Sequence, residues 1–156
     1  MFQWEDDAAE IERIRASVAE MESSKIRQRI VATLQWRAEH GELLPSVPPL
    51  GYRREGGGFA VNPEGAAVVS RIFDLYTSRT ATQVQIADEL NASDVLGRKW
   101  TPQYIGRILR NQAYRGYLSV QIEGTCYLRQ STLVPQIISD DTWDRAQARR
   151  GRPHPE

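Results

Sequence analysis

Acidic side chains that could bind a metal ion gather near the end of the chain, in a D-D-x-x-D cluster at residues 140–144. The cluster follows Ser139, a typical helix N-cap, and acids in a first helical turn complement the helix dipole. Cys126, His40 and His154 form no nucleophile–base pair and no zinc-site spacing. We therefore expect no metal, no cofactor and no catalytic residue.

A basic and aromatic stretch, residues 97–115, has the composition of a nucleic-acid contact. It holds five bases, no acid and three large aromatic rings. Side chains on a predicted helix could read the edges of DNA bases in the major groove. The flanking arginines and lysine could contact phosphates or the adjacent minor groove. The predicted groove-reading residues are Gln103, Tyr104, Arg107 and Arg110, and the predicted flanking contacts are Arg53, Arg54, Arg98, Lys99 and Arg115. A solvated basic face on a helical domain would explain the same composition.

The overall charge does not argue against this interpretation. The 156 residues carry 20 bases and 20 acids, a formal net charge of zero. Residues 1–44 have six bases against nine acids, whereas residues 45–156 have fourteen against eleven. The zero is therefore a sum over two parts of opposite sign. No apolar run is long enough to span a membrane, and the acidic start is unlike a signal peptide, so we expect a cytoplasmic protein with no membrane partner.

The elements that must position these residues begin with one long helix. Residues 4–40 contain no proline or glycine, and apolar residues recur every three or four positions from Ile11 to Leu34, with a register shift near Lys25. Gly41 is a suitable C-cap. So narrow an apolar stripe predicts packing on a second copy or on a domain outside this sequence; two shorter helices folding back on the rest are the alternative.

Residues 41–58 contain three prolines and five glycines and predict a linker, flexible at Gly56–Gly58. A compact unit then follows, and the fold class is mainly α with a small β-hairpin (α+β), including a pair of helices with helix-turn-helix character. The loop between those two helices is longer than a simple helix-turn-helix turn. The predicted divisions are a helix at 1–41, a linker at 42–58, a domain at 59–150 and a tail at 151–156.

The predicted elements of the domain share recognisable start and turn signals. Each helix begins at a capping residue, followed in two cases by proline, and Glu123-Gly124 forms the turn of a hairpin. The helices start at Asn62-Pro63, Thr82, Thr101-Pro102 and Ser139, with core residues Val69, Ile72, Phe73, Tyr76, Val84, Ile86, Ala87, Leu90, Ile105, Ile108, Leu109, Trp143 and Ala146.

From residue 48 onward the sequence resembles the Recombinase domain of large serine recombinases, the family of phage integrases and transposon resolvase relatives. The resemblance covers about 100 residues in order and is carried by PPLGYRR at 48–54, NPE at 62–64, IADELN at 86–91, GRKWTP at 97–102, ILRNQAYRG at 108–116 and VPQIIS at 134–139. The long helix resembles the one that ends the family's catalytic domain, which pairs subunits and crosses the minor groove.

Tyr127-x-Arg129-x-Ser131 matches the run that holds the family's nucleophile, but only 25 residues follow Ser131. We interpret that match as a coincidence, and an active recombinase is the least favoured reading. The resemblance implies a non-catalytic part of a site-specific recombinase, bacterial or phage-encoded, that binds double-stranded DNA at half of an attachment site. The alternative is an interaction protein that acts through the long helix, with itself or with a full-length recombinase.

Overall fold

A computed structural model describes residues 3–151, with side chains from residue 8 onward. The predicted tail, apart from Gly151, lies outside these residues. Within them the chain forms five α-helices and two antiparallel β-hairpins, as the mainly helical α+β prediction requires. In chain order these are α1 (Gln3–Glu39), β1 (Tyr52–Glu55), β2 (Gly58–Val61), α2 (Pro63–Thr77), α3 (Gln83–Ala92), α4 (Pro102–Arg110), β3 (Tyr117–Ile122), β4 (Thr125–Gln130) and α5 (Asp140–Arg149).

Helix α1 is continuous over 37 residues, which corresponds to about 55 Å. The alternative of two shorter helices is therefore wrong. Gly41 ends the helix with φ of +66°, and two hydrogen bonds, from Gly41 N to Ala38 O and from Glu42 N to Arg37 O, complete a Schellman motif. The C-cap prediction at Gly41 is confirmed.

The apolar stripe of α1 faces solvent in the isolated chain. Its exposed members are 47–60 % accessible: Ile11, Ile14, Val18, Met21, Ile26 and Ile30. Only the end of the helix packs on the rest of the protein, where α1 contacts β3 and β4 and Ala38 is buried. None of the helices within residues 3–151 combines the length and apolar character needed to cross a membrane.

The segment predicted to be a flexible linker contains a β-hairpin instead. Strand β1 pairs with β2 from Tyr52↔Val61 to Glu55↔Gly58, and Gly56-Gly57 forms the turn. The hairpin is ordered because Tyr52 and Phe59 are buried in the core, and their rings lie 6.0 Å apart. Prediction of a linker over residues 52–58 is therefore wrong, since local composition does not reveal these distant contacts.

The domain core is formed where α2, α3, α4 and α5 meet, and Trp100, Trp143 and Tyr114 are its largest buried side chains. The helix starts follow the predicted caps. Thr82 makes a capping box with Gln85, and the hydroxyls of Thr101 and Ser139 each accept a backbone N–H of the first turn. The second hairpin, β3–β4, turns at Glu123-Gly124 as predicted, with both residues at positive φ.

One predicted core position is wrong, at the start of α3. Val84 is 53 % exposed, and Gln83 occupies the buried side instead. The reason is geometric: Gln83 stands three, four and seven residues before Ile86, Ala87 and Leu90, which form the buried stripe, whereas Val84 lies about 100° further around the helix, outside that stripe.

Candidate nucleic-acid interface

Helix α4 exposes one polar face on the side opposite the core. Ile105, Ile108 and Leu109 are buried, as predicted, and Gly106 is buried with them. Gln103, Arg107 and Arg110 are exposed and follow at i, i+4 and i+7, which places them along one line of the helix surface. These three long side chains therefore project together from a helix whose other side is fixed in the core.

The loop before α4 is held by the protein itself, although it is longer than a helix-turn-helix turn. The Asn91 amide nitrogen donates to Trp100 O at 2.8 Å, and the Asn91 amide oxygen accepts from Trp100 N at 2.7 Å. The buried indole of Trp100 donates to Val95 O at 3.0 Å. Asp94 and Leu96 both adopt positive φ in this loop. These contacts fix the position from which α4 begins.

Helices α3 and α4 pack against each other at Gly106. A Cβ atom built there would lie 2.9 Å from Oε1 of Gln83, so the side chain of Gln83 fills the space that a larger residue at position 106 would need. The two helices therefore form a packed pair.

Arg98 lies at the start of α4 over two aromatic rings. Its guanidinium carbon is 4.6 Å from the ring centre of Tyr104 and 5.3 Å from that of Trp100. Tyr104 is half-buried and packs against the core, which differs from the prediction that it points away from it. The reason is that Tyr104 stands about 100° around α4 from Gln103, at the edge of the exposed face, where it supports Arg98. Lys99 is exposed next to Arg98.

The other predicted contact residues lie outside α4 and already have partners. Arg115 is half-buried, donates to Gln112 Oε1 at 2.6 Å and stacks 4.0 Å from the ring centre of Tyr117. On β1, Arg53 pairs with Glu55 at 3.2 Å, and Arg54 donates to two backbone carbonyls of the segment before the hairpin. The structure thus brings Arg98 and the three exposed residues of α4 together, and places Arg53 and Arg54 on a separate hairpin.

Two residues that sequence reasoning missed anchor α5 to the rest of the domain, one at the end of α2 and one at the end of α4. Arg149 donates to the carbonyls of Tyr76, Thr80 and Ala81, and its guanidinium carbon is 4.2 Å from the ring centre of Tyr76. Gln147 donates to Leu109 O at 2.6 Å, at the end of α4. No sequence signal distinguishes these side chains, because an arginine in a last helical turn also suits the helix dipole.

The run that resembles a recombinase nucleophile has a structural role in this fold. Ser131 is buried, and its hydroxyl donates to Gly41 O and accepts from Leu133 N. Within the 140–144 cluster, Asp140 accepts from Gln136, and Asp141 pairs with Arg145 at 3.1 Å. Among residues 8–151 no three His, Cys, Asp or Glu side chains are grouped as a metal site would need.

Two solved structures share this fold. One is a crystal structure of an LSR–DNA complex, with a TM-score of 0.67 and 21 % identity, covering 79 % of this chain and 39 % of that one. The other comes from work on the sequence requirements of the Listeria innocua prophage attP site, with a TM-score of 0.64 and 22 % identity, covering 79 % and 51 %. The chain thus spans about half or less of their lengths, and at these identities the likeness shows a common fold. No curated protein sequence matches the chain.

The family comparison agrees with the resemblance found in the sequence. The family model named Recombinase matches residues 63–152, which is more than half of the chain and includes the α3–α4 pair, the second hairpin and α5. The chain therefore belongs to the Recombinase family.

Proposed function

We propose that this chain is the DNA-binding part of a site-specific serine recombinase, with α4 as the helix that enters the major groove. The observation that carries the proposal is the exposed line of Gln103, Arg107 and Arg110 on a helix whose opposite face is buried. Arginine and glutamine form paired hydrogen bonds with guanine and adenine edges respectively, and residues 97–115 contain no acid to repel phosphate. The family match and the DNA-bound relative support the same function.

The proposed flanking contacts fall into two groups, exposed residues before α4 and a half-buried residue after it. Arg98 and Lys99 are exposed at the start of α4 and would hold phosphates on one side of the groove. Arg115, five residues after the helix, would contact the DNA backbone on the other side of the groove. We propose that the bound DNA is half of an attachment site and that the chain binds it without cleaving it.

The absence of cleavage is proposed from the role of Ser131. A serine that attacks phosphate must be open to the DNA, whereas this hydroxyl is buried and occupied by Gly41 and Leu133. We also propose that the DNA-binding unit begins with the β1–β2 hairpin, because Tyr52 and Phe59 are part of its core.

Fluorescence anisotropy with a labelled duplex tests the proposal, using duplexes selected by this protein from a randomised pool. If the three proposed backbone contacts, Arg98, Lys99 and Arg115, each neutralise one phosphate, log K should fall against log salt with a slope of about −2.7. An Arg107→Ala variant should lose about 1–3 kcal/mol of binding, roughly 5- to 150-fold in affinity, if Arg107 contacts a base.

Arg145→Ala is the matched control, because it removes the same charge from α5, where the Asp141 pair is exposed and worth little. The control should keep the affinity of the unaltered protein. Affinity without a salt slope would contradict the phosphate contacts, and equal losses in the two variants would contradict the assignment of α4.

The second candidate function is association through α1. It is favoured by six apolar side chains that lie about half exposed on α1: Ile11, Ile14, Val18 and Met21 share one face, and Ile26 and Ile30 lie about 120° further around the helix. The partner would be a second copy of this chain or a full-length recombinase. This function is compatible with DNA binding, because the stripe and the exposed face of α4 belong to different helices.

A further inference from the structure

The segment between α1 and the first hairpin, residues 41–51, is tied down at three separate points. At its start Ser131 Oγ donates to Gly41 O at 2.5 Å. In its middle Arg54 Nη2 donates to Pro45 O at 3.1 Å and to Ser46 O at 3.0 Å. Near its end the hydroxyl of Tyr114 donates to Leu50 O at 2.7 Å. The three donors come from three different parts of the domain.

The first of these ties holds the end of α1 against the domain. The helix ends in the Schellman motif at Gly41, and a Cβ atom built at Gly41 would lie 2.8 Å from Gln130 O. The last turn of α1 therefore rests directly on the end of β4, where Ser131 follows. A change of angle between helix and hairpin would break the Ser131 hydrogen bond and separate this close backbone contact.

The chain between the ties is also constrained. Leu44 and Leu50 pack against the core, and Pro45, Pro48 and Pro49 restrict their own backbone torsions. This stretch forms one wall of an open groove of about 510 Å³, whose other wall includes β3 and Tyr104. The segment therefore has a defined path over the domain surface, and the middle of that path is supported by Arg54.

We infer that Arg54, Ser131 and Tyr114 lock the junction, so that α1 and the domain move as one rigid body, and that Arg54 is a positioning residue. The sequence suggested a phosphate contact for Arg54. In the structure its guanidinium donates to the carbonyls of Pro45 and Ser46, which belong to no helix or strand. The consequence for DNA rests on the proposed function: α1 and α4 would contact DNA at a fixed distance from each other.

Distance measurement between two spin labels tests the lock without DNA, so its failure is separate from a failure of DNA binding. The labels are placed at Ser24→Cys on α1 and Ala148→Cys on α5, both exposed, in a Cys126→Ser background. A locked junction should give one narrow distance distribution. If the nine residues between Gly41 and Gly51 were a flexible coil, the distance between the two ends of that coil would be broadly distributed, with a root-mean-square value of about 15 Å.

The matched pair of variants is Arg54→Met and Arg53→Met, neighbours on β1 that lose the same charge. Arg54→Met should broaden the distribution, because it frees Pro45 and Ser46, whereas Arg53 pairs only locally with Glu55 and its replacement should not. Circular dichroism checks that both variants are folded. A broad distribution in the unaltered protein, or equal widths in the two variants, would overturn the inference.

Discussion

Two buried tyrosine hydroxyls make a specific prediction about alkaline stability. The hydroxyl of Tyr52 donates its single hydrogen between Ala113 O at 2.7 Å and Pro135 O at 2.6 Å, and that of Tyr114 donates to Leu50 O. A phenolate could not donate these bonds and would face carbonyl oxygens. Burial raises the pKa of both groups above the usual 10.0, and for Tyr114 the charges of Tyr104 and Tyr52 raise it further.

The sign and size of the effect follow from linkage. Above about pH 10 the unfolded chain releases these protons while the folded chain keeps them, so the free energy of unfolding falls as the pH rises towards the folded pKa values. Each tyrosine contributes about 1.4 kcal/mol per pH unit in that window, and the two together about 2.7 kcal/mol per unit. Below about pH 10 the contribution is fully present and independent of pH.

The assay is urea unfolding followed by tryptophan fluorescence, repeated from about pH 9 to about pH 11.5. Tyr52→Phe and Tyr114→Phe should each cost about 1–3 kcal/mol at neutral pH, because Pro135 O and Leu50 O respectively lose the hydroxyl that donates to them. Each should also make the alkaline slope shallower by about 1.4 kcal/mol per unit. The double variant reports the slope from all other groups. Equal alkaline slopes in the unaltered protein and the double variant would refute the reasoning.

Two further predictions concern the long helix. Gly41→Ala should reduce the free energy of unfolding by about 2–4 kcal/mol in urea, from the positive φ and the close contact with Gln130 O. Gly56→Ala is the control, because Gly56 has φ +59° and no atom within 4 Å of a built Cβ, so its loss of stability comes from the positive φ alone. Equal losses of stability in the two variants would contradict a contribution from the Gln130 O contact. Val18→Glu should weaken self-association at least about tenfold in sedimentation equilibrium, because it places a charge in the apolar stripe. Ala16→Glu, on the opposite face of α1, should not, and a monomeric unaltered protein at micromolar concentration would contradict pairing between copies.

Much of the fold could be predicted because its signals are local. The caps at Thr82, Thr101 and Ser139, the Gly41 C-cap and the turn at Glu123-Gly124 each depend on residues within a few positions of one another. The exposed face of α4 followed from helical periodicity in the same way. Such signals determine where a helix or strand begins and ends and which of its sides is buried, independently of residues far away in the sequence.

The parts that could not be predicted depend on contacts between distant residues. Tyr52 orders the first hairpin through carbonyls 61 and 83 positions away. The side chain of Gln83 fills space beside Gly106 of α4, a contact that no residue near position 83 indicates. Arg54 is predicted to contact phosphate, and only the path of residues 45–46 reveals that its Nη2 donates within the protein.

The burial of Tyr52 determines where this chain can be joined to another. The family match begins at residue 63, and a junction placed there would be the natural choice for a chimera that exchanges DNA-binding parts between recombinases. Such a chimera would lack the ring that stacks 5.8 Å from Tyr114, together with the carbonyl of Leu50 to which Tyr114 donates. A junction within α1, ahead of its packed last turns, transfers the hairpin, the tied segment and the helix end with the domain they complete.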